Sequence, residues 1–223
     1  MDNGNTKHIN NHNMKILNLY AGIGGNRKLW GDSHEVTAIE WDPKIAEIYQ
    51  ENFPSDKVII CDAHKFLLEF YDEFDFIWSS PPCPSHSKVR FANQDQNKPI
   101  YAEMSLYQEI LFLKHYFKGK WVVENVISYY DPLIKPYKVG KHYYWCNYPL
   151  TNVGKLEAVG RGMGKNENLK DLYKLKGFDL SKYEGIDKMK IIRNCVEPKE
   201  ALHIFKLAFS DVQNVLHGNS WSE

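Results

Sequence analysis

Ile16-Leu17-Asn18-Leu19-Tyr20-Ala21-Gly22-Ile23-Gly24-Gly25 decides the fold. The apolar run from Ile16 to Tyr20 reads as a buried strand, and it stops at glycines followed by a short helical pattern, Arg27 to Trp30. A strand that runs into glycines and then a helix opens a nucleotide-type α/β domain. The pattern repeats downstream. Glu35 to Ile39 stops at Glu40, and Asp42-Pro43 then opens a helix reaching Asn52, with Pro43 in its first turn. Val58 to Cys61 ends at Asp62, and Phe74 to Trp78 ends in Ser79-Ser80-Pro81-Pro82-Cys83-Pro84. After a helix from Tyr101 to Phe117, a fifth strand, Lys120 to Val123, ends at Glu124-Asn125-Val126. Strands alternating with helices imply an α/β fold with a doubly wound, mostly parallel, Rossmann-like sheet, in which ligands sit at the carboxyl ends of the strands. The unusual residues all stand at such ends.

The 223 residues accommodate one full domain and a small appendage. No run of about 18 apolar residues is present, so no membrane span is expected. Residues 1–13 are polar, lack the apolar core of a signal peptide, and read as a disordered tail on a cytoplasmic protein. Cys61, Cys83, Cys146 and Cys195 are scattered without a CxxC or CxxH pair, so four free thiols and no metal site are expected. The 28 Lys and Arg balance 28 Asp and Glu, but residues 1–134 carry 13 against 18 and residues 135–206 carry 15 against 8. A neutral total therefore hides an acidic first part and a basic later one. Glycines punctuate a Lys-rich stretch from 151 to 190 with little apolar periodicity, which reads as a small appended module. Pro198 to His217 reads as an amphipathic helix. The main domain is thus expected over 14–150 and 191–217, with a short tail over 218–223.

Chemistry concentrates at the strand ends. Glu40, 15 residues beyond Gly25, suits a carboxylate accepting hydrogen bonds from ribose hydroxyls. Asp62 either holds an adenine amino group or caps the helix that follows it. Pro81 and Pro82 fix a stiff turn that holds Cys83 where a ligand would sit, and a thiol is strongly nucleophilic once deprotonated. Glu124 ends the next strand, which should bring it close to Cys83. The polar stretch Ser85 to Pro99 is long for a connection and is a candidate mobile functional loop.

Leu17 to Gly25, Pro81-Pro82-Cys83, Glu124-Asn125-Val126 and Arg193-Asn194-Cys195-Val196-Glu197-Pro198 stand in the order of the first, fourth, sixth and tenth motifs of the DNA (cytosine-5) methyltransferases. With Val139-Gly140-Lys141-His142-Tyr143-Tyr144-Trp145, the chain most resembles compact phage-type members of that family. The resemblance implies a catalytic domain of the S-adenosylmethionine-dependent methyltransferase type, with 151–190 as a small target-recognition module. The cofactor S-adenosylmethionine would lie against Tyr20, Gly22, Gly24, Gly25, Glu40, Trp41, Asp62, Ala63, Pro81 and Asn194. It further implies that Cys83 adds to C6 of a flipped-out cytosine in duplex DNA while Glu124 contacts N3. Ser87, Lys88, Arg90, Asn125, Val126 and His142 would contact the DNA substrate, and a monomer is favoured.

Several residues depart from the family pattern. Lys141-His142-Tyr143-Tyr144 stands where an Arg-x-Arg pair is usual, and His142 either replaces it or is a structural histidine among aromatics. Pro84 stands where Gln is common, His86 where an aromatic is common, and Arg193 where Gly is usual. Methylation of tRNA at cytosine C5 is one alternative function, and a catalytically silent DNA-binding homologue is another. An amino methyltransferase also carries a diproline, but with an aromatic residue after it, a position that Cys83 fills here.

Overall fold

The computed structural model describes residues 13–93, 95, 98–151 and 168–210. Lys15–Leu19 (β1), Glu35–Glu40 (β2), Lys57–Ile60 (β3), Phe76–Ser79 (β4), Lys120–Val126 (β5), Tyr137–Val139 (β6) and His142–Cys146 (β7) form one sheet in the order β3-β2-β1-β4-β5-β7-β6. The first five strands are parallel, and β7 joins β5 antiparallel. The doubly wound, mostly parallel sheet is the one the sequence implies. Among the described residues, no helix is long and apolar enough to cross a membrane.

Alternation along each strand loads both faces of the sheet. Ile16, Phe76, Trp78 and Val122 face one cluster, while Leu17, Leu19, Ile77, Trp121 and Val123 face the other. Helices Ala63–Phe70 (α2) and Ser105–Tyr116 (α4) cover the second face through Leu67, Leu106, Ile110 and Leu113. Helix Pro198–Ala208 (α7) covers the first through Ala201, Ile204 and Phe205. Phe205 stacks on Trp30 with centroids 4.9 Å apart, so the last described helix packs against the short 3-10 turn Arg27–Leu29 near the chain's beginning.

The helix expected after Asp42 is Pro43–Asn52 (α1), where Asp42 accepts from the N–H groups of Lys44 and Ile45 and Pro43 fills a position whose N–H has no helical partner. Behind it, Arg27 is buried and pairs with Asp56 at 2.8 and 3.0 Å, and Asp56 also accepts from the Tyr49 hydroxyl. A buried ion pair with its remaining lone pairs occupied is the arrangement that offsets the desolvation of both charges.

Three differences from the sequence reading have physical reasons. The fifth strand does not stop at Val123: antiparallel pairing opposite Tyr144 and Tyr143 draws Glu124 and Asn125 into the ladder. The polar stretch after Cys83 contains a short helix, Lys88–Ala92 (α3), capped by Ser87. Residues 168–190 are not set apart from the main domain. Leu169–Lys176 (α5) and the loop after it insert Leu172, Phe178 and Leu180 into a third cluster with Ile48 and Tyr49 of α1, next to Lys188–Asn194 (α6). Residues 152–167, the rest of the expected module, lie outside the described residues, as do 1–12 and 211–223, which include the expected tails and the end of the expected final helix.

Candidate active site

The carboxyl ends of β1 to β5 surround one cavity of about 770 Å³. At the end of β1, Tyr20 adopts φ 55°, the one non-glycine residue with positive φ among the described residues. That backbone costs an L-residue about 1–2 kcal/mol. Its hydroxyl donates to Glu109 Oε1 at 2.6 Å, which holds the ring in place, and burial followed by the Glu109 charge pushes its pKa well up. Gly22 follows at φ +56°, with open space where a Cβ would stand. Its N–H donates to Glu40 Oε2 at 2.9 Å, while Glu40 Oε1 accepts from the N–H groups of Trp41 and Asp42 at 2.9 and 3.0 Å. Glu40 therefore fastens the turn after β1 to the turn after β2. Three of its roughly four acceptor positions serve the backbone.

Asp62 does cap a helix: Oδ1 accepts from the N–H groups of His64 and Lys65 at 3.0 and 3.2 Å, and the residue also lines the cavity. Trp41 stands at the rim, 71% exposed. Ala63, Pro81, Cys83, Glu124, Asn125, Val126, His142 and Asn194 line the cavity as well, with Gly25 and Tyr20. Asn194 ends α6 and does not cap α7, whose preceding residue is Glu197.

Four expected residues are not among the lining. Gly24, at φ +86°, turns its missing side chain toward the Phe53 ring, which a Cβ would strike. Ser87 caps α3 by accepting from the Val89 N–H at 3.2 Å, Lys88 points to solvent, and Arg90 donates to the Lys98 carbonyl at 2.9 Å. These three sit on the segment that follows Cys83, outside the cavity.

Asn125 has a use that differs from substrate contact. Nδ2 donates to the Pro81 carbonyl at 2.9 Å and Oδ1 accepts the Val126 N–H at 2.9 Å, so the buried amide clamps the diproline turn to β5. Below that turn, the Cys83 carbonyl accepts from the N–H groups of His86 and Ser87 at 3.0 and 3.1 Å. The Cys83 side chain is held half-buried at the cavity wall. Burial and then the Glu124 charge push its thiol up, so it is protonated in the resting protein at neutral pH. Burial likewise raises the carboxyl of Glu124, against the pull of His142 and Ser80, which makes it a proton donor closer to neutrality than an ordinary carboxylic acid. His142 Nε2 lies 3.7 Å from Glu124 Oε1.

Besides Asp56, two buried acids were not found from the sequence. Glu109, 1% exposed on α4, accepts from Tyr20 and from Ser79 Oγ, each at 2.6 Å, and meets His64 Nδ1 at 3.0 Å. It joins the ends of β1 and β4 to α2. Glu200 on α7 accepts from the Tyr144 hydroxyl at 2.6 Å and faces His142. The signal was available: Glu109 stands three residues after Leu106 and four before Leu113, and Glu200 four before Ile204, so each lies on the apolar face of its helix.

The model of the family C-5 cytosine-specific DNA methylase matches residues 14–127, which carry all five parallel strands and most of the cavity lining. The tRNA (cytosine(38)-C(5))-methyltransferase of Rattus norvegicus is 32% identical over 82 residues, covering 34% of this chain and 21% of the rat protein. Type II methyltransferase M.Bsp6I of Bacillus sp. (strain RFL6) is 36% identical over 77 residues, covering 33% of this chain and 24% of that protein. The chain thus matches less than a quarter of the length of these relatives. Among solved structures, Entamoeba histolytica methyltransferase EhMeth aligns over 87% of this chain and 97% of its own, with 12% identity and a TM-score of 0.48.

The cofactor that goes with the family is S-adenosylmethionine. The residues present fit it: an open glycine cradle at Gly22, an exposed indole at Trp41 and carboxylates at Glu40 and Asp62 line the same cavity as Cys83 and Glu124. On the match over residues 14–127, the chain belongs to the C-5 cytosine-specific DNA methylase family.

Proposed function

We propose that this protein methylates cytosine at C5 in DNA, with the base turned out of the duplex into the cavity. What carries the reading is the meeting, in one cavity, of the Cys83 thiol on its clamped turn, the buried Glu124 carboxyl and the glycine turn of β1. Tyr20, Gly22, Gly25, Glu40, Trp41, Asp62, Ala63, Pro81 and Asn194 would hold the cofactor, which supplies an electrophilic methyl group on a sulfonium. Gly24 would act from behind, by letting the turn close on Phe53.

Cytosine C5 is a weak nucleophile. Cys83, once deprotonated, adds to C6 and breaks the C5–C6 double bond, while Glu124 delivers a proton to N3 as charge builds there. C5 is then enamine-like and takes the methyl group. Loss of the C5 proton to a base, departure of the Cys83 thiolate and return of the N3 proton to Glu124 restore the neutral aromatic ring. C6 is unreachable inside a stacked duplex, so extrusion of the base precedes the chemistry at a cost of a few kcal/mol. Lys88, Arg90 and Ser87, on the segment next to the Cys83 turn, would contact phosphates around the opened site. Val126 and His142 would wall the base.

A second reading, C5 methylation of tRNA, is supported by the similarity to the rat tRNA enzyme over the matched segment. Incubation with tritiated S-adenosylmethionine and, separately, duplex DNA, single-stranded DNA and tRNA tests both. Label on cytosine C5 of duplex DNA that vanishes with Cys83→Ser is expected. Label confined to tRNA selects the second reading, and label that survives the substitution sinks the covalent mechanism.

A further inference from the structure

The imidazole of His142 stands between two carboxylates drawn from distant parts of the chain. Nδ1 is 3.4 Å from Glu200 Oε1, and Nε2 is 3.7 Å from Glu124 Oε1. Glu200 is 8% exposed, and its ion pair among the described residues is with His142. Its oxygens are enclosed: Oε1 also accepts the Tyr144 hydroxyl at 2.6 Å, and Oε2 faces Gly140, where a Cβ would come within 2.9 Å. Gly140 is at φ +53°, so both its conformation and its missing side chain make room for this carboxylate. A carboxylate buried so far from water is costly unless a cation or strong donors meet it. Tyr144 supplies one donor, and His142 is placed to supply the other.

We propose that Glu200 is a positioning residue acting through His142: it takes the Nδ1 proton as a hydrogen bond and thereby turns Nε2, with its own proton, toward Glu124 in the base pocket. This rests on the cytosine reading above and extends it. A protonated His142 places positive charge beside the ring atoms that gain electrons when Cys83 adds. The groups facing the imidazole are Glu124 from β5, Glu200 from α7, Tyr144 from β7, Lys176 from α5 and, across the cavity, Cys83 after β4. Burial and Lys176 disfavour the cation, and the two carboxylates outweigh them, leaving the pKa of His142 raised. Lys176 is itself engaged with Glu197 at 3.2 Å. Methyl transfer should then fall on the alkaline side as His142 loses its proton.

The test is the titration of His142 by imidazole NMR, assigned with His142→Asn, beside the pH profile of kcat. Glu200→Gln should lower the His142 midpoint by about one pH unit. Tyr144→Phe should raise it, because the carboxylate loses a competing donor. The alkaline limb of kcat should move with the midpoint in each variant, and KM for S-adenosylmethionine should hold, since Glu200 is not among the cavity-lining residues. His142→Lys, whose amine has a higher intrinsic pKa than imidazole, should move the limb to higher pH. If Glu200→Gln does not fold, Tyr144→Phe carries the test alone. A merely structural Glu200 leaves the midpoint unmoved, and that result overturns the proposal, as does a limb that stays while the midpoint moves. Wild-type protein that transfers no methyl group while the midpoints shift overturns the cytosine reading and leaves the positioning of His142 standing.

Discussion

Asn125 reaches across from β5 to hold the carbonyl of Pro81 at 2.9 Å, two residues before Cys83. The position of Cys83 is therefore set by a neighbouring strand as well as by its own prolines. Asn125→Ala should lower kcat for methyl transfer about 100-fold, the effect expected of a displacement near 1 Å. KM for S-adenosylmethionine should change little. Steady-state transfer of tritium measures both, and an unaltered kcat would contradict the clamp.

The thiol of Cys83 is held up by burial and by Glu124. Its alkylation by iodoacetamide, followed by site-resolved mass spectrometry, should be slower at neutral pH than that of a free model thiol and should rise steeply as the solution becomes alkaline. Glu124→Gln removes the negative charge and should shift that rise to lower pH. Cys195, buried and pushed up to about 12, should stay unlabelled over the same range.

Gly22 and Gly25 should respond differently to alanine. A Cβ at Gly25 would collide with Cys195 Sγ and the Val196 carbonyl, in the segment joining α6 to α7. Gly25→Ala should cost about 1–3 kcal/mol of stability by overpacking. A Cβ at Gly22 meets open space, and the cost there is that of the positive φ, about 1–2 kcal/mol. Urea unfolding gives the stabilities, and calorimetric titration with S-adenosylmethionine should show weaker binding for Gly22→Ala, whose methyl projects into that open space.

Glu109→Ala strips the partner from Tyr20 and Ser79 together and should destabilise the fold by at least about 2 kcal/mol. His64 adds a pH dependence. Its pKa is raised in the folded protein by its hydrogen bond to Glu109, so its contribution is complete below the unfolded value and is lost as the pH rises through the folded one. The stability gap between wild type and His64→Ala should therefore be wider near pH 6 than near pH 9. The gap is small, because the His64 side chain is 39% exposed. A gap that widens toward alkaline pH would contradict the assignment.

The parallel half of the fold was legible because each strand announces itself twice, by an apolar run and by the odd residue that ends it: Gly22, Glu40, Asp62, Cys83 and Glu124. The antiparallel edge was not. Tyr137–Val139 is too short for its alternation to register, His142–Cys146 is a run of aromatics without one, and Glu124-Asn125-Val126 reads as a strand's end until β7 is laid beside it. Glu109 and Glu200 were missed for a related reason. A charged residue in an amphipathic pattern reads as solvated, and only the third dimension supplies the tyrosines and histidines that satisfy it. Residues 168–190 look like a separate module by charge, yet a handful of apolar residues, Leu172, Phe178 and Leu180, suffices to seat them on α1.

The stacking of Phe205 on Trp30 closes the chain on itself, and it has a consequence for biosynthesis. A chain made from its N-terminus acquires the parallel sheet, the diproline turn and the glycine turn well before α7 leaves the ribosome. Until then Trp30 has no cover, the segment before α7 does not meet Gly25, and Glu200 does not reach His142. A nascent polypeptide would thus hold the Cys83 turn before Glu200 is there to meet His142. The contacts that tie the first strands to α7 form only once α7 itself has been made.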